Sequence, residues 1–416
     1  MSGAHSEPAD SRVAAVADPA GVCAPPGFLA GAVYCGLQLP APDQRDLGVL
    51  VSERPCAAAA RFTTNRVVAA PVVVSRRRLA AGGPVRGVVF NAGNANACTG
   101  PEGLAAAEEM ARLAAARVGV AAAELLVAST GVIGVPLDLE KVRAGLAALT
   151  VSRDGGPAVA RAIMTTDTVP KQAVARVRLS DGRGVTIGGM AKGSGMIHPD
   201  LATMLAFLTT DAPLDRAQAE ALLGPAVERS FNMITVDGDT STNDMVLLLA
   251  NGAAGGEPAT LRREDLARLR EGIEAVCVHL ARAIAADGEG ATRLIEIQVR
   301  GACAEADARR AARTVAGSNL FKAAVYGADP NWGRILAALG RAGVPFDPDR
   351  AEVAIGPVVV YRRGRPTAFD PAAARAALQP PEVRVTIDLH LGHGQATAWG
   401  CDLSERYVAI NSEYTT

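Results

Sequence analysis

A glycine-dense segment near the middle of the chain, preceded by two strand-like runs, most limits what this sequence can fold into. The runs at residues 173–179 and 185–190 alternate in polarity and flank Asp181-Gly182, which predicts an antiparallel hairpin with a tight turn. Residues 188–195 then contain four glycines, whose backbone can adopt conformations that other residues resist. The sequence therefore predicts a hairpin that delivers a loop of unusual backbone shape.

A threonine shortly after this loop has the local sequence of a self-cleavage site. Thr203 follows the small residue Ala202, and such a threonine can attack the carbonyl that precedes it. The cut exposes an α-amine that can serve as base for the same hydroxyl. An Ala-Thr pair alone is weak evidence, because most threonine hydroxyls only bond to nearby backbone. The hypothesis therefore depends on the whole run of residues 192–205.

Length and charge narrow the function classes. A chain of 416 residues is too long for one ordinary core and suits two domains or one large layered α/β unit. Lys plus Arg number 42 against 43 for Asp plus Glu, so the net charge of -1 attracts neither nucleic acid nor an anionic membrane. No membrane span or secretion signal is evident. We expect a cytoplasmic protein that acts on small molecules.

The cysteines and histidines predict neither disulfides nor a metal site. Seven Cys are scattered without C-x-x-C spacing, which favours reduced thiols. His390 and His393 form an H-x-x-H pair without the further ligands that zinc requires.

Periodicity predicts a mixture of strands and helices. Residues 1–26 lack periodicity and read as a flexible tail. Apolar runs at 47–51, 85–90 and 125–128 predict strands, as does the alternation at 295–299 and 383–389, whereas 102–118 predicts an Ala-rich helix. A further helix has a buried stripe formed by Leu266, Leu269, Ile273, Val276, Leu280 and Ile284. These patterns together indicate an α+β class.

Several segments closely resemble the ornithine acetyltransferase (ArgJ) family, the bifunctional glutamate N-acetyltransferases of arginine biosynthesis. They are residues 192–205, 129–134, 164–168 and 407–416, and the resemblance extends from about residue 26 to the C-terminus. The family usually reads His-Pro-Asn-Met-Ala-Thr before and at the cut. Here Asp200 and Leu201 replace Asn and Met, whereas Ala202 and Thr203 are retained. The two departures suggest the hypothesis of an altered choice of acetyl donor.

The resemblance implies a fold, an assembly and a reaction. The fold is layered, with sheets sandwiched by helices, and is built from two fragments, 27–202 and 203–416, that assemble as an α2β2 heterotetramer. Thr203 carries acetyl from N2-acetyl-L-ornithine to L-glutamate in a ping-pong cycle. No metal or bound cofactor is expected, although some members use acetyl-CoA as a substrate.

The resemblance also implies site residues, none of which spacing alone would have selected. Cleavage separates Ala202 from Thr203, and the oxyanion hole is formed by Thr130 and Gly131. The residues expected to bind substrate are Thr165, with Thr166 as close competitor, Lys192, Thr203, Glu289, Asn411 and Thr416. The segments 236–244 and 327–334 also resemble family segments, and they are interpreted as structural.

Two alternatives remain at this point. A self-processed amidohydrolase or aminopeptidase would release the acyl group to water instead of an amino acid. An uncleaved small-molecule binding protein would use the loop around Lys192 to hold an anion, although this loop lacks the Walker spacing.

Overall fold

The computed structural model describes residues 13–41, 43–198 and 204–413. Within these ranges the strands form two sheets, one of eight and one of seven strands. The first sheet contains β1 (Phe28–Val33), β2 (Leu47–Phe62), β3 (Val85–Asn94), β4 (Leu125–Val132), β5 (Lys171–Arg178), β6 (Gly184–Lys192), β7 (Leu205–Thr210) and β9 (Met245–Ala250). The second contains β8 (Ile234–Thr235), β10 (Leu294–Ala302), β11 (Glu352–Ile355), β12 (Val358–Arg362), β13 (Arg365–Pro366), β14 (Glu382–Asp388) and β15 (Gly394–Cys401).

The first sheet mixes strands from both sides of Thr203. Its order is β4-β3-β2-β9-β7-β6-β5, with β1 also paired to β2. β7 and β9 follow Thr203 in the chain, yet they lie between β2 and β6, which precede it. Every residue of β7 and β9 is buried, as expected of central strands that are covered on both faces. The second sheet is built only from residues after Thr203.

Helices flank both sheets, which confirms the predicted α+β class. The helices are α1 (Ala70–Ala80), α2 (Gly100–Val118), α3 (Leu139–Ala148), α4 (Gly156–Ala162), α5 (Arg216–Arg229), α6 (Arg263–Ala286), α7 (Glu305–Ala316), α8 (Asn319–Tyr326), α9 (Trp332–Gly340), α10 (Pro371–Ala376) and α11 (Glu405–Glu413). α1 and α2 pack on β4, whereas α6 packs on β5 and β6 and also contacts β8, β10 and β15 of the second sheet. α6 therefore links the two sheets through one continuous apolar core.

The strongly periodic predictions are confirmed. The Ala-rich helix is α2, and the striped helix is α6, where Leu269, Ile273 and Leu280 are fully buried. β5 and β6 form the predicted hairpin, in which the Leu179 N–H donates to the Arg183 carbonyl at 2.8 Å across the turn. No helix in the described ranges is long and apolar enough to cross a membrane.

The predicted flexible tail is wrong for residues 13–26. Val16 forms a bridge with Val174, and Val22 is fully buried. The Thr209 hydroxyl donates to the Val22 carbonyl at 2.9 Å, so this segment is held against the first sheet. Apart from one 3₁₀ turn at Gly21–Cys23 the segment packs as irregular chain, and periodicity detects only longer regular elements. Residues 1–12 lie outside the described ranges.

Candidate active site

A cavity of about 220 Å³ lies where β4, β6, the loop before β10 and the C-terminal helix meet. Six residues that the sequence analysis named for the site line it: Thr130, Gly131, Thr165, Lys192, Glu289 and Asn411. The competitor Thr166 lines it too. Ala202, Thr203 and Thr416 lie outside the described residues, as do Asp200 and Leu201. The cavity is small and therefore suits a ligand the size of an amino acid.

Thr130 and Gly131 occupy the end of β4, where it runs parallel to β3 and pairs with Ala92 and Gly93. Gly131 has a φ of 131°, a conformation that side chains disfavour. A Cβ atom at this position would lie 2.3 Å from the carbonyl carbon of Gly93. Glycine is thus required here, and it brings the β4 backbone to the cavity beside the Thr130 hydroxyl.

Lys192, at the end of β6, is the cationic group of the cavity wall. Its side chain is buried, and Nζ donates to Thr165 Oγ1 at 2.8 Å and to Thr130 Oγ1 at 3.4 Å. Burial lowers the pKa of the Lys192 ammonium, although Asp167 opposes this shift from a distance of 4.0 Å. An ammonium that contacts mainly neutral hydroxyls retains the capacity to bind an anionic ligand.

Asp167 connects two parts of the wall, and the sequence analysis did not single it out. Its carboxylate accepts hydrogen bonds from the Gly193 N–H at 2.7 Å, the Thr165 N–H at 3.2 Å and Lys171 Nζ at 2.7 Å. Burial raises the pKa of Asp167, but Lys171, Lys192 and the Gly193 N–H outweigh it, so the net shift is downward. Asp167 therefore holds the glycine loop against the Thr165 segment as a buried carboxylate.

Glu289 lies close to the glycine loop because Gly195 has no side chain. A Cβ on Gly195 would lie 2.4 Å from the Glu289 carboxyl group. The Glu289 N–H donates to the Ser194 carbonyl at 2.9 Å, and Oε2 accepts a hydrogen bond from Asn411 Nδ2 at 2.8 Å. The described residues that line the cavity thus include the cation Lys192 and the carboxylates Glu289, Asp237 and Asp239, so the wall has groups for both the carboxylate and the amine of an amino acid.

An acidic segment, residues 236–244, holds both flanks of the segment that contains Thr203. Asp237 accepts hydrogen bonds from the N–H groups of Met196 and Ile197 at 2.6 and 2.9 Å. On the other side, Asp244 accepts one from the Met204 N–H at 2.9 Å. The density of acidic and hydroxyl residues was the available sequence signal, but it gave no indication of these partners.

Other segments noted in the sequence lie elsewhere. Asn331 caps α9 by accepting a hydrogen bond from the Arg334 N–H at 3.3 Å, and its segment does not line the cavity. His390 follows the end of β14, where its ring lies 3.3 Å from Asp388 and is about half exposed. Within residues 13–41, 43–198 and 204–413, no three His, Cys, Asp or Glu side chains cluster as metal ligands would.

Comparisons of this chain with a family model and with individual proteins agree on the family to which it is similar. The ArgJ family model matches residues 29–416. The arginine biosynthesis bifunctional protein ArgJ of Symbiobacterium thermophilum is 54% identical over 398 residues, which cover 95% of this chain and 98% of that protein. The protein of the same name from Thermosynechococcus vestitus is 50% identical over 413 residues, with 95% and 98% covered.

A solved structure of the arginine biosynthesis bifunctional protein argJ from Bacillus halodurans is 44% identical, with a TM-score of 0.48, and covers 50% of this chain and 97% of that chain. The family model spans nearly the whole sequence. The relatives from Symbiobacterium thermophilum and Thermosynechococcus vestitus match this chain over almost their full lengths. This chain therefore belongs to the ArgJ family.

Proposed function

We propose that this chain is a self-cleaving acetyltransferase that moves acetyl from N2-acetyl-L-ornithine to L-glutamate in arginine biosynthesis. Family membership supports the reaction. The observation that carries the proposal is the shared cavity, where buried Lys192 and Glu289 meet Thr130 and Gly131. Met196 and Met204, which precede and follow the Ala202-Thr203 bond, are each anchored by a backbone hydrogen bond to an aspartate of residues 236–244.

Maturation begins with the hydroxyl of Thr203. Its oxygen attacks the Ala202 carbonyl carbon, and the amide nitrogen leaves as an amine, so that an ester replaces the peptide bond. Water then hydrolyses the ester to give the Ala202 carboxylate and a Thr203 residue with a free α-amine and a free hydroxyl. This amine is the base that the nucleophile needs.

Acetyl transfer uses the same hydroxyl twice. The α-amine takes the hydroxyl proton as the oxygen attacks the acetyl carbonyl of acetylornithine, and the proton then passes to the leaving ornithine amine. In the second half of the cycle the neutral α-amine of glutamate attacks the carbonyl of the acetyl-Thr203 ester. The bond to the Thr203 oxygen breaks, and the proton lost by the glutamate amine passes through the Thr203 amine to that oxygen, which restores the hydroxyl. Thr130 and the Gly131 backbone stabilise the oxyanion in both halves, and loss of one such donor typically lowers the rate by about 10²–10³-fold.

The charged residues orient the two amino acids. Lys192 and Thr165 bind the anionic end of the substrate, whereas Glu289, held by Asn411, binds a cationic amine. Thr416, the last residue of the chain, also binds the substrate. Since both substrates share the α-carboxylate and differ in the side chain, one site can receive them in turn, as a ping-pong cycle requires.

The assembly and compartment are part of the same proposal. The fragments 27–202 and 203–416 stay together and form an α2β2 heterotetramer. The enzyme works in the cytoplasm, which fits its seven free cysteine thiols. The relatives are named bifunctional. An assay in which acetyl-CoA replaces acetylornithine tests whether this enzyme also uses a second acetyl donor.

The mass of the purified protein tests the first step. We expect two fragments, one beginning with Thr203, because the attacking hydroxyl and the scissile carbonyl belong to neighbouring residues. Thr203→Ala should remain a single chain, and Thr203→Ser, which keeps a hydroxyl, should still be cut. Intact-mass spectrometry with N-terminal sequencing measures all three proteins. A wild-type chain that stays uncut would contradict the proposal and favour the binding-protein alternative.

The fate of the acetyl group tests the second step. Incubation of the cleaved enzyme with acetylornithine and glutamate should give acetylglutamate and ornithine in equal amounts. Chromatographic quantification of both products is the measurement. Free acetate without acetylglutamate would contradict transfer and support the amidohydrolase alternative.

A further inference from the structure

The carboxamide of Asn243 joins two backbone segments of the cavity wall. Asn243 is 5% exposed and lines the cavity. Its Nδ2 donates to the Ala95 carbonyl at 2.7 Å and to the Ser129 carbonyl at 2.9 Å. The Thr242 hydroxyl donates to Asn243 Oδ1 at 2.5 Å, which turns the amide so that its nitrogen faces the two carbonyls. Both hydrogens of Nδ2 are therefore used to hold the wall.

The two carbonyls belong to the ends of neighbouring strands. Ala95 directly follows β3, and Ser129 lies in β4, one residue before Thr130. Asn243 lies just before β9 and follows Thr203 in the chain, whereas β3 and β4 precede it. Asn243 therefore fastens the proposed second fragment to the part of the first fragment that supplies the oxyanion hole.

The hydrogen bond from Asn243 lies at the outer edge of β4. This strand ends the order of the first sheet, so no strand of the described ranges pairs with that edge, and side chains occupy it instead. Ser75 Oγ accepts the Val127 N–H at 2.8 Å and donates to the Val127 carbonyl at 2.7 Å, and Asn243 donates to Ser129 two residues further on. Backbone groups of alternate residues in a strand point to the same edge. The next group at this edge is the N–H of Gly131, a residue that lines the cavity.

The position of the Ser129 carbonyl also fixes the backbone groups that follow it. A peptide unit is planar, so a held carbonyl oxygen sets the plane that carries the Thr130 nitrogen. The next residue, Gly131, pairs with Gly93 of β3. The end of β4 is thus held by β3 on one side and by Asn243 on the other. Hydrogen-bond donors stabilise an oxyanion best when they are aimed in advance at the developing charge.

We propose that Asn243 is a positioning residue for the oxyanion hole, because it holds the end of β4 so that the Gly131 N–H and the Thr130 hydroxyl point at the acetyl carbonyl oxygen. This inference rests on the proposed function. Asn243 donates both amide hydrogens to protein carbonyls, so it acts through Ser129 and not on the substrate. Since one oxyanion hole serves both halves of the cycle, its misalignment should slow acetylation of Thr203 and transfer to glutamate by similar factors.

The test is Asn243→Leu in the full chain, because leucine has a similar branched shape and no charge but cannot donate to the two carbonyls. We expect kcat to fall by roughly 10–10²-fold, less than when an oxyanion donor is removed, because the donors remain but are misaligned. The KM values should stay within about threefold, since the residues that bind substrate are unchanged. Steady-state acetyl transfer gives kcat and KM separately, and single-turnover measurements give the rate of each half of the cycle.

Asn251→Leu is the matched control. Asn251 directly follows β9, is 6% exposed, and its Nδ2 donates to the Pro26 carbonyl at 2.9 Å, so it also joins the chain after Thr203 to the chain before it. It does not line the cavity. This variant should change kcat by less than about threefold, because it loses a buried hydrogen bond away from the oxyanion hole. Equal losses of kcat in the two variants, or a raised KM with unchanged kcat in Asn243→Leu, would overturn the assignment.

Backbone amide hydrogen exchange tests the same assignment without turnover. In a Thr203→Ala background, Asn243→Leu should speed exchange at residues 127–132 by about tenfold, because two hydrogen bonds that hold the end of β4 are lost. Asn251→Leu should leave exchange there unchanged. Unchanged exchange in the Asn243 variant would contradict the inference, even if that variant is inactive or is not cut.

Wild type in the transfer assay separates the inference from the proposed function. Absent transfer in wild type would contradict the proposed function, whereas hydrogen exchange would still report whether Asn243 holds the end of β4. Transfer by wild type and an equal kcat in Asn243→Leu would contradict only the inference.

Discussion

At the scale of single residues, Asp167 shows how a buried charge organises the site without lining it. It binds the Gly193 and Thr165 backbones and pairs with Lys171, which in turn contacts Asp287 at 2.6 Å. Asp287 lies two residues before Glu289 in the chain. This network therefore joins the loops that present Thr165, Lys192 and Glu289, and its charges compensate one another away from solvent.

Asp167→Asn should lower the free energy of unfolding by about 3–5 kcal/mol at neutral pH, because it leaves buried cations undercompensated. The folded-state pKa of Asp167 is depressed, so its contribution is present above the unfolded pKa and is lost as the pH falls through the folded pKa. The difference between wild type and variant should accordingly shrink in acid. Denaturant unfolding of both proteins, from neutral pH down to acid, measures the difference in their free energies of unfolding.

Asp181→Asn is the control for that experiment. Like Asp167, Asp181 has a lowered pKa, in this case mainly because Arg183 donates a hydrogen bond to it. Its side chain, however, is 47% exposed. Its loss should leave the free energy of unfolding almost unchanged, as is typical of exposed pairs. A similar loss in both variants would contradict the role given to the Asp167 network.

At the scale of elements, the sequence predicted those whose apolar residues recur regularly. α6 shows this clearly, since its stripe of leucine, isoleucine and valine faces the core that both sheets share. Residues 13–26 show the opposite, because they are held by Val22 in the core and by a bridge at Val16, neither of which leaves a periodic pattern. Irregular chain that packs well looks like a tail in sequence.

Ile273→Ala in α6 should reduce the free energy of unfolding by about 2–5 kcal/mol, because a fully buried branched side chain leaves a cavity. Glu271→Ala, on the exposed face of the same helix, should change it by at most about 0.5 kcal/mol. Thermal and denaturant unfolding of the two variants compare the faces. Equal effects would show that the stripe does not support the shared core.

At the scale of the whole molecule, the first sheet makes the two proposed fragments depend on each other. β7 pairs with β6 across six residues and lies next to β9, which pairs with β2. A cut between Ala202 and Thr203 removes one covalent connection and leaves these ladders intact. Neither fragment alone contains the strands that complete the sheet, whereas the second sheet belongs wholly to the later fragment.

The cleaved fragments should therefore co-elute under native conditions and separate only in denaturant. Size-exclusion chromatography followed by denaturing electrophoresis of each fraction measures this. Thr203→Ala provides the uncut reference and should elute at the same volume. Separate native peaks for the two fragments would be incompatible with the strand order of the first sheet.

The sequence by itself determined the class of elements, the hairpin before the glycine loop and, through family resemblance, the residues of the cavity wall. Helices, strands and tight turns depend mainly on residues that are close together in the chain, so the order of residues is enough to predict them. Only the tertiary structure decided that Asp167 joins two loops, that Asp237 and Asp244 hold opposite flanks of the Thr203 segment, and that Asn411 reaches Glu289 across 122 positions. Partners of buried charges are chosen by three-dimensional proximity and desolvation, and neither leaves a pattern along the chain.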